Sequence, residues 1–149
     1  MIDTPVFLFA KDSSTLSIYR SILMLVRAIE TYDVEDDLYL AWDINGNLIE
    51  FGVDSSPCVH RVVYNQTATN DKQRLIEELK KYIEYKREAL QYFSRKKRWP
   101  VIHRNREKKL KSIQLSIDLA EMFLEYLEDG SKIAVEDLDF SKFESVFDI

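Results

Sequence analysis

Apolar and polar positions along this chain change their period once, near Asn70. Before that point the apolar residues come in short runs broken by turn residues. After it they recur every three or four positions for almost sixty residues, the spacing of amphipathic helices. Thr4 to Ala10, "TPVFLFA", is β-rich and predicts a first strand, and "KDSST" behind it has turn chemistry. Leu16 to Glu30 reads in two ways. Leu16, Tyr19, Ile22, Leu23, Val26 and Ile29 fit a helical stripe, or Leu16 to Arg20 returns as a hairpin strand and Ser21 caps a helix from Ile22 to Thr31. The second reading is preferred, because Ser17 and the β-branched Ile18 are weak in a helix interior. Ile22 to Ile29 is apolar nearly all round, so that helix is expected to be buried.

Leu38–Asp43 and Leu48–Val53 flank Asn45-Gly46, a strong hairpin signal that predicts a type I′ turn with positive φ at both residues. Val59 to Tyr64, "VHRVVY", is a further strand. Beyond Asn70, Asn70 or Asp71 can cap a helix with the stripe Leu75, Leu79, Tyr82, Ile83, Leu90 and Phe93, interrupted at Trp99-Pro100. A second long helix carries Leu110, Ile113, Ile117, Ala120, Phe123, Leu124 and Leu127 and stops at Gly130. Ser141 and Glu144 have capping-box spacing, which predicts a short helix at Lys142–Phe147. The fold class is α+β: an N-terminal antiparallel sheet with one buried helix, then a C-terminal helical hairpin. At 149 residues the expected organisation is one domain, with a β-rich part at 1–66, the hairpin at 70–130 and a tail at 131–149.

Composition narrows the function more than the fold. A chain with 46% hydrophobic and 32% charged residues is globular rather than disordered. It has no run of eighteen apolar residues, and "MIDTPVFLFAKD" lacks the order of a signal peptide, so the cytoplasm is expected and membrane contact is not. The single cysteine, Cys58, cannot form an internal disulfide, which suits a reducing compartment. Familiar catalytic signatures are missing: there is no Gly-x-Ser-x-Gly, no phosphate-cradling glycine loop and no His-Glu-x-x-His. Asp43-Ile44-Asn45-Gly46-Asn47 is not a calcium loop of EF-hand type, since Gly46 falls at the fourth position rather than the sixth and Asp54 stands at the twelfth. His60 and His103 lie too far apart in sequence to suggest a metal site, and Glu84 with Glu88 sits among lysines as a solvated face. No enzyme, cofactor or metal is expected.

Charge is segregated. Residues 1–60 hold ten acids against three Lys/Arg, residues 118–149 hold ten against two, and Arg95 to Lys111 holds nine Lys/Arg against Glu107 alone. The acids Asp33, Glu35, Asp36 and Asp37, in the expected loop before the central hairpin, with Asp43 and Glu50 nearby, form a candidate docking surface for a basic protein. Arg95, Lys96, Lys97, Arg98, Trp99, Arg104 and Arg106 are the candidate anion- or nucleic-acid-binding set, with Trp99 placed to stack on a base. Three readings stay open for that basic tip: a solvated turn with its second helix starting near Lys109, pairing with the chain's own acids, or an external anion. Self-association as a homodimer is also left open.

The segments "FLFAKDSS" and "ETYDVEDDLYLAWDINGNLIEF" carry a resemblance. A strand and its return strand, a Ser-capped helix ending Glu30-x-x-Asp33-Val34, and a strand pair joined by an Asp43-x-x-Gly46 turn resemble the immunity proteins of bacterial polymorphic-toxin and contact-dependent-inhibition systems, over about residues 4–64. The resemblance implies a non-enzymatic antidote that binds a cognate protein toxin inside the producing cell. The C-terminal helices lie outside it.

Overall fold

The computed structural model describes residues 2–12, 14–57, 59–95 and 103–130, with the backbone alone at Val59, His103 and Arg104. Cys58, the tip residues Lys96, Lys97, Arg98 and Trp99, and the short helix expected at Lys142–Phe147 lie outside the described residues. The fold is α+β. Two units divide the chain, Met1–Leu75 and Ile76–Ile149.

The first unit is a five-stranded antiparallel sheet. Its strands are β1 (Val6–Ala10), β2 (Leu16–Tyr19), β3 (Tyr39–Asp43), β4 (Asn47–Ser56) and β5 (Val59–Asn70), in the order β2-β1-β3-β4-β5. Period-two alternation sends Val6 and Leu8 to one face of β1 and Phe7 and Phe9 to the other. Both faces are buried. Val6, Leu8, Ala41, Ile49 and Val62 pack with Leu25 and Ile29 from the helical side. On the opposite face Phe7, Phe9 and Trp42 are fully buried, with Phe9 and Trp42 edge to face at 5.8 Å and the Arg74 guanidinium 6.0 Å from the indole.

Leu16–Tyr19 is the return strand, so the hairpin reading holds, with Val6 opposite Tyr19 and Phe9 opposite Leu16. Ser21 caps α1 (Ile22–Ala28) by accepting the Met24 amide at 3.3 Å. The helix is shorter than the expected Ile22–Thr31. At Ile29 the backbone turns extended, and a separate short helix, α2 (Thr31–Glu35), follows. Nor is α1 buried all round: Leu25 is enclosed, but Leu23 is 60% and Met24 50% exposed. An isolated helix laid across a sheet buries one stripe, and no further layer covers the other among the described residues.

The β3–β4 turn also differs from expectation. Only Gly46 has positive φ, at 85°, and its amide donates to the Asp43 carbonyl at 3.0 Å. Ile44, Asn45 and Gly46 thus form a three-residue hairpin loop, a tight turn followed by a left-handed glycine, rather than a two-residue type I′ turn.

In the second unit, the body of α3 (Lys72–Arg95) runs antiparallel to α4 (His103–Asp129). Lys80 pairs with Glu128 at 2.7 Å, Arg87 with Glu121, and Arg106 donates to the Ser94 carbonyl, so the partner number falls along α4 as it rises along α3. Leu79, Tyr82 and Ile83 of α3 and Ile113, Ile117, Ala120, Phe123 and Leu127 of α4 are buried, as their stripes predict. Asp71 caps α3 through the Arg74 amide at 3.2 Å, and Gly130, at φ 61°, ends α4.

Candidate functional site: an acid-rimmed groove beside β4

The acids expected to share a loop lie on and after a helix instead. Asp33 and Glu35 belong to α2, and Asp36 and Asp37 end it. The ending is a Schellman motif: the Leu38 amide reaches the Asp33 carbonyl at 3.2 Å and the Asp37 amide reaches Val34 at 3.1 Å. Asp37 holds the left-handed position, φ 53°, where glycine is the relaxed choice. Its carboxylate pairs with Lys11 and its side chain stays 81% exposed.

Just beyond this turn the sheet opens. β3 and β4 pair only at Ala41–Ile49 and Trp42–Leu48, so Tyr39 and Leu40 part from Glu50 and Phe51. The gap is a groove of about 340 Å³. Leu38, Tyr39, Leu48 and Phe51 supply apolar wall, and Asp33, Asp37 and Glu50 supply carboxylates. The local potential is negative enough to act on neighbouring phenols. Tyr32 is pushed up to about 12 by its hydrogen bond to Glu30 and by the charges of Glu30 and Asp33. Tyr39 is raised by burial first and then by Asp33, which its hydroxyl approaches at 3.4 Å. A concave apolar floor with a carboxylate rim can seat an aliphatic stem while pairing a cationic head.

The predicted acids divide into three groups. Asp33, Asp37 and Glu50 line the groove; Glu35 and Asp36 are exposed on the adjacent helix end. Asp43 does not join them. It is fully buried, and its carboxylate accepts the Asn45 and Asn47 amides, the Asn47 side chain and the Gln66 side chain, each at 2.9 Å. Four donors satisfy this buried carboxylate within the sheet. Asp43 organises the hairpin and offers nothing to a partner. Sequence reasoning missed Tyr39 and Phe51 as groove residues, because their alternation marks them simply as strand positions.

The basic set is only partly described. α4 begins at His103 rather than near Lys109. Arg95 is exposed near the end of α3, whereas the guanidinium of Arg106 is spent on the Ser94 carbonyl and closes that helix end. Lys109 lies 3.9 Å from the Phe93 ring centroid. The Lys86 ammonium, 5.6 Å from the Tyr82 ring, is held below the usual lysine range by burial and then by Lys109. His60 is exposed on β5, lining a second groove between α1 and that strand.

Among the described residues no helix is long and apolar enough to cross a membrane, and no cluster of His, Cys, Asp and Glu has metal-binding geometry. No protein-family model, curated protein or solved structure matches this chain.

Proposed function

We propose that this chain is a non-enzymatic binding module that seats a basic segment of a partner protein in the groove between α2 and β4, acting inside the cell as an antidote to a cognate toxin. The observation that carries the reading is the convergence of Asp33 and Asp37, from α2 and its end, with Glu50 of β4 on one apolar-floored groove. Asp37 strengthens it. An acid kept where glycine would relax the backbone breaks a local rule, and such breaks concentrate where side-chain chemistry matters more than stability. Complementary charge would speed capture of the toxin by about 10 to 1,000-fold over a neutral surface. The resemblance of residues 4–64 to immunity proteins supplies the antidote role; the groove supplies its charge preference.

The test compares the wild-type chain with an Asp33→Asn, Asp37→Asn, Glu50→Gln variant as bait in native cytoplasm, with and without nuclease. The expected result is a basic protein held stoichiometrically by the wild type through nuclease treatment and lost by the variant. Equal retention by both baits overturns the groove as the binding face.

A second reading, nucleic-acid binding by the helical hairpin, is favoured by the positive patch that Lys86 and Lys109 form on α3 and α4. It predicts that wild type and variant alike retain nucleic acid, with affinity falling steeply as salt rises.

A further inference from the structure

β5 has β4 along one side and, among the described residues, no strand along the other. From His60 to Gln66 it is regular, paired residue for residue with Ser55 back to Ile49; the irregularity lies beyond Gln66. Exposed edges are ordinarily blunted by lysine, proline, a bulge or an inward-pointing charge. His60–Gln66 has no lysine, proline or bulge, and its one permanent charge, Arg61, points outward and pairs at 3.3 Å with Asp54 of its own β4. The edge is apolar at its centre, with Val63 39% and Tyr64 41% exposed. Beside it a groove of about 580 Å³ separates it from α1, whose Leu23 is 60% exposed.

We propose that this edge pairs with the same edge of a second copy of the chain, antiparallel, about a two-fold axis through Val63. The side-chain sequence is what selects a copy of itself. An axis perpendicular to the sheet keeps each face continuous only where facing residues share a face, and a centre at Val63 satisfies this. Val63 then meets Val63, Arg61 meets Asn65, Val62 meets Tyr64 and His60 meets Gln66. No cation faces a cation, the exposed valine is covered by its own counterpart, and Arg61 and His60 each face a side-chain amide. Alternation places Val62 and Tyr64 on the face that carries α1, so the two α1 helices flank the axis on one side of the joined sheet and their Leu23 side chains approach it. The contact is isologous and closes on itself, which makes a dimer rather than a filament. The acid-rimmed groove is not needed for it, so the dimer stands or falls independently of the partner-binding reading.

Sedimentation equilibrium on the full chain, from about 1 to 300 μM, decides the matter through mass action. The expected wild-type result is a monomer–dimer equilibrium. Val63→Lys sets two ammonium groups opposite each other on the axis and should weaken dimerisation by about 100-fold or more, with the circular dichroism spectrum of the monomer unchanged. Should that variant not fold, Val63→Cys in a Cys58→Ser background gives an independent reading: mild oxidation should link two chains through position 63. A wild type that stays monomeric throughout the range overturns the proposal. So does a dimer indifferent to Val63→Lys, or a Val63→Cys chain that dimerises without cross-linking, because either places the contact on another surface.

Discussion

Gln66, on β5, donates its side-chain amide to the buried carboxylate of Asp43, at the end of β3, over 2.9 Å. β4 lies between their strands, so the bond ties three strands across one hairpin. Asn70 extends the tie, donating to the Asn45 carbonyl at 2.9 Å and to the Asn47 side chain at 3.0 Å. Asp71 then donates its backbone amide to the Gly46 carbonyl at 2.9 Å, at the point where α3 begins. One carboxylate fixes the hairpin loop, and the loop fixes the start of the helix.

Removing that carboxylate should be the most damaging single change at the hairpin. Asp43→Ala strips four donors of their acceptor, two of them backbone amides, and should cost about 3 kcal/mol, whereas Gln66→Ala, which removes one of the four bonds, should cost about 1 kcal/mol. Urea unfolding of the two variants checks both values and their order.

Two glycines with positive φ should respond differently to alanine. At Gly46 a Cβ would meet the Lys72 Cα at 2.6 Å in addition to the left-handed strain, so Gly46→Ala should cost about 3 kcal/mol or more. At Gly130 a Cβ meets nothing within 4 Å, so Gly130→Ala should cost only about 1 kcal/mol. Thermal unfolding separates strain plus collision from strain alone.

Asp37→Gly should move stability and binding in opposite directions. Relief of the left-handed backbone exceeds the loss of an exposed Lys11 ion pair, and the variant should gain about 0.5 kcal/mol. Its capture of a basic partner should fall, because the groove loses a carboxylate. A denaturant midpoint and a pull-down on one preparation test the pair of effects together.

The tyrosines give the alkaline limit. Tyr82 is raised by burial, with a smaller opposing effect from its hydrogen bond to Ser116, and Tyr39 is raised by burial and Asp33. A phenol whose folded pKa exceeds its unfolded value keeps its proton longer in the native state. The unfolded chain releases first, near pH 10, so the stability these groups contribute is full below pH 10 and is lost as pH rises through their folded values. Phenolate absorbance of the native protein should therefore lag that of the urea-unfolded chain. Glu30→Gln should bring Tyr32 down from about 12 towards its ordinary range, because Glu30 is its largest cause.

Local chemistry made much of the framework legible. Ser21 before an apolar run, Asp71 before a helical stripe, Gly130 after one, and Asn45-Gly46 between two strands each satisfied orphan backbone groups or a special φ in place, without help from elsewhere. The long stripes of α3 and α4 were equally plain. The basic tip was legible as charge but not as role, since nothing local says that Arg106 bends back to the Ser94 carbonyl.

What sequence by itself determined, then, was the kind of each element and most of its boundaries: strands by period two, helices by a three-to-four period, and the stops that caps and glycines impose. Tertiary structure decided which faces are covered and which acids meet. β5 continues through the polar stretch Asn65–Asn70 because β4 is there to pair with it as far as Asn47. Asp43 is buried because Gln66, twenty-three positions away, completes its shell of donors. Asp33, Asp37 and Glu50 share a groove because β3 and β4 part after Ala41–Ile49. Each of these depends on a partner distant in sequence, and a local pattern carries no record of which distant strand will arrive.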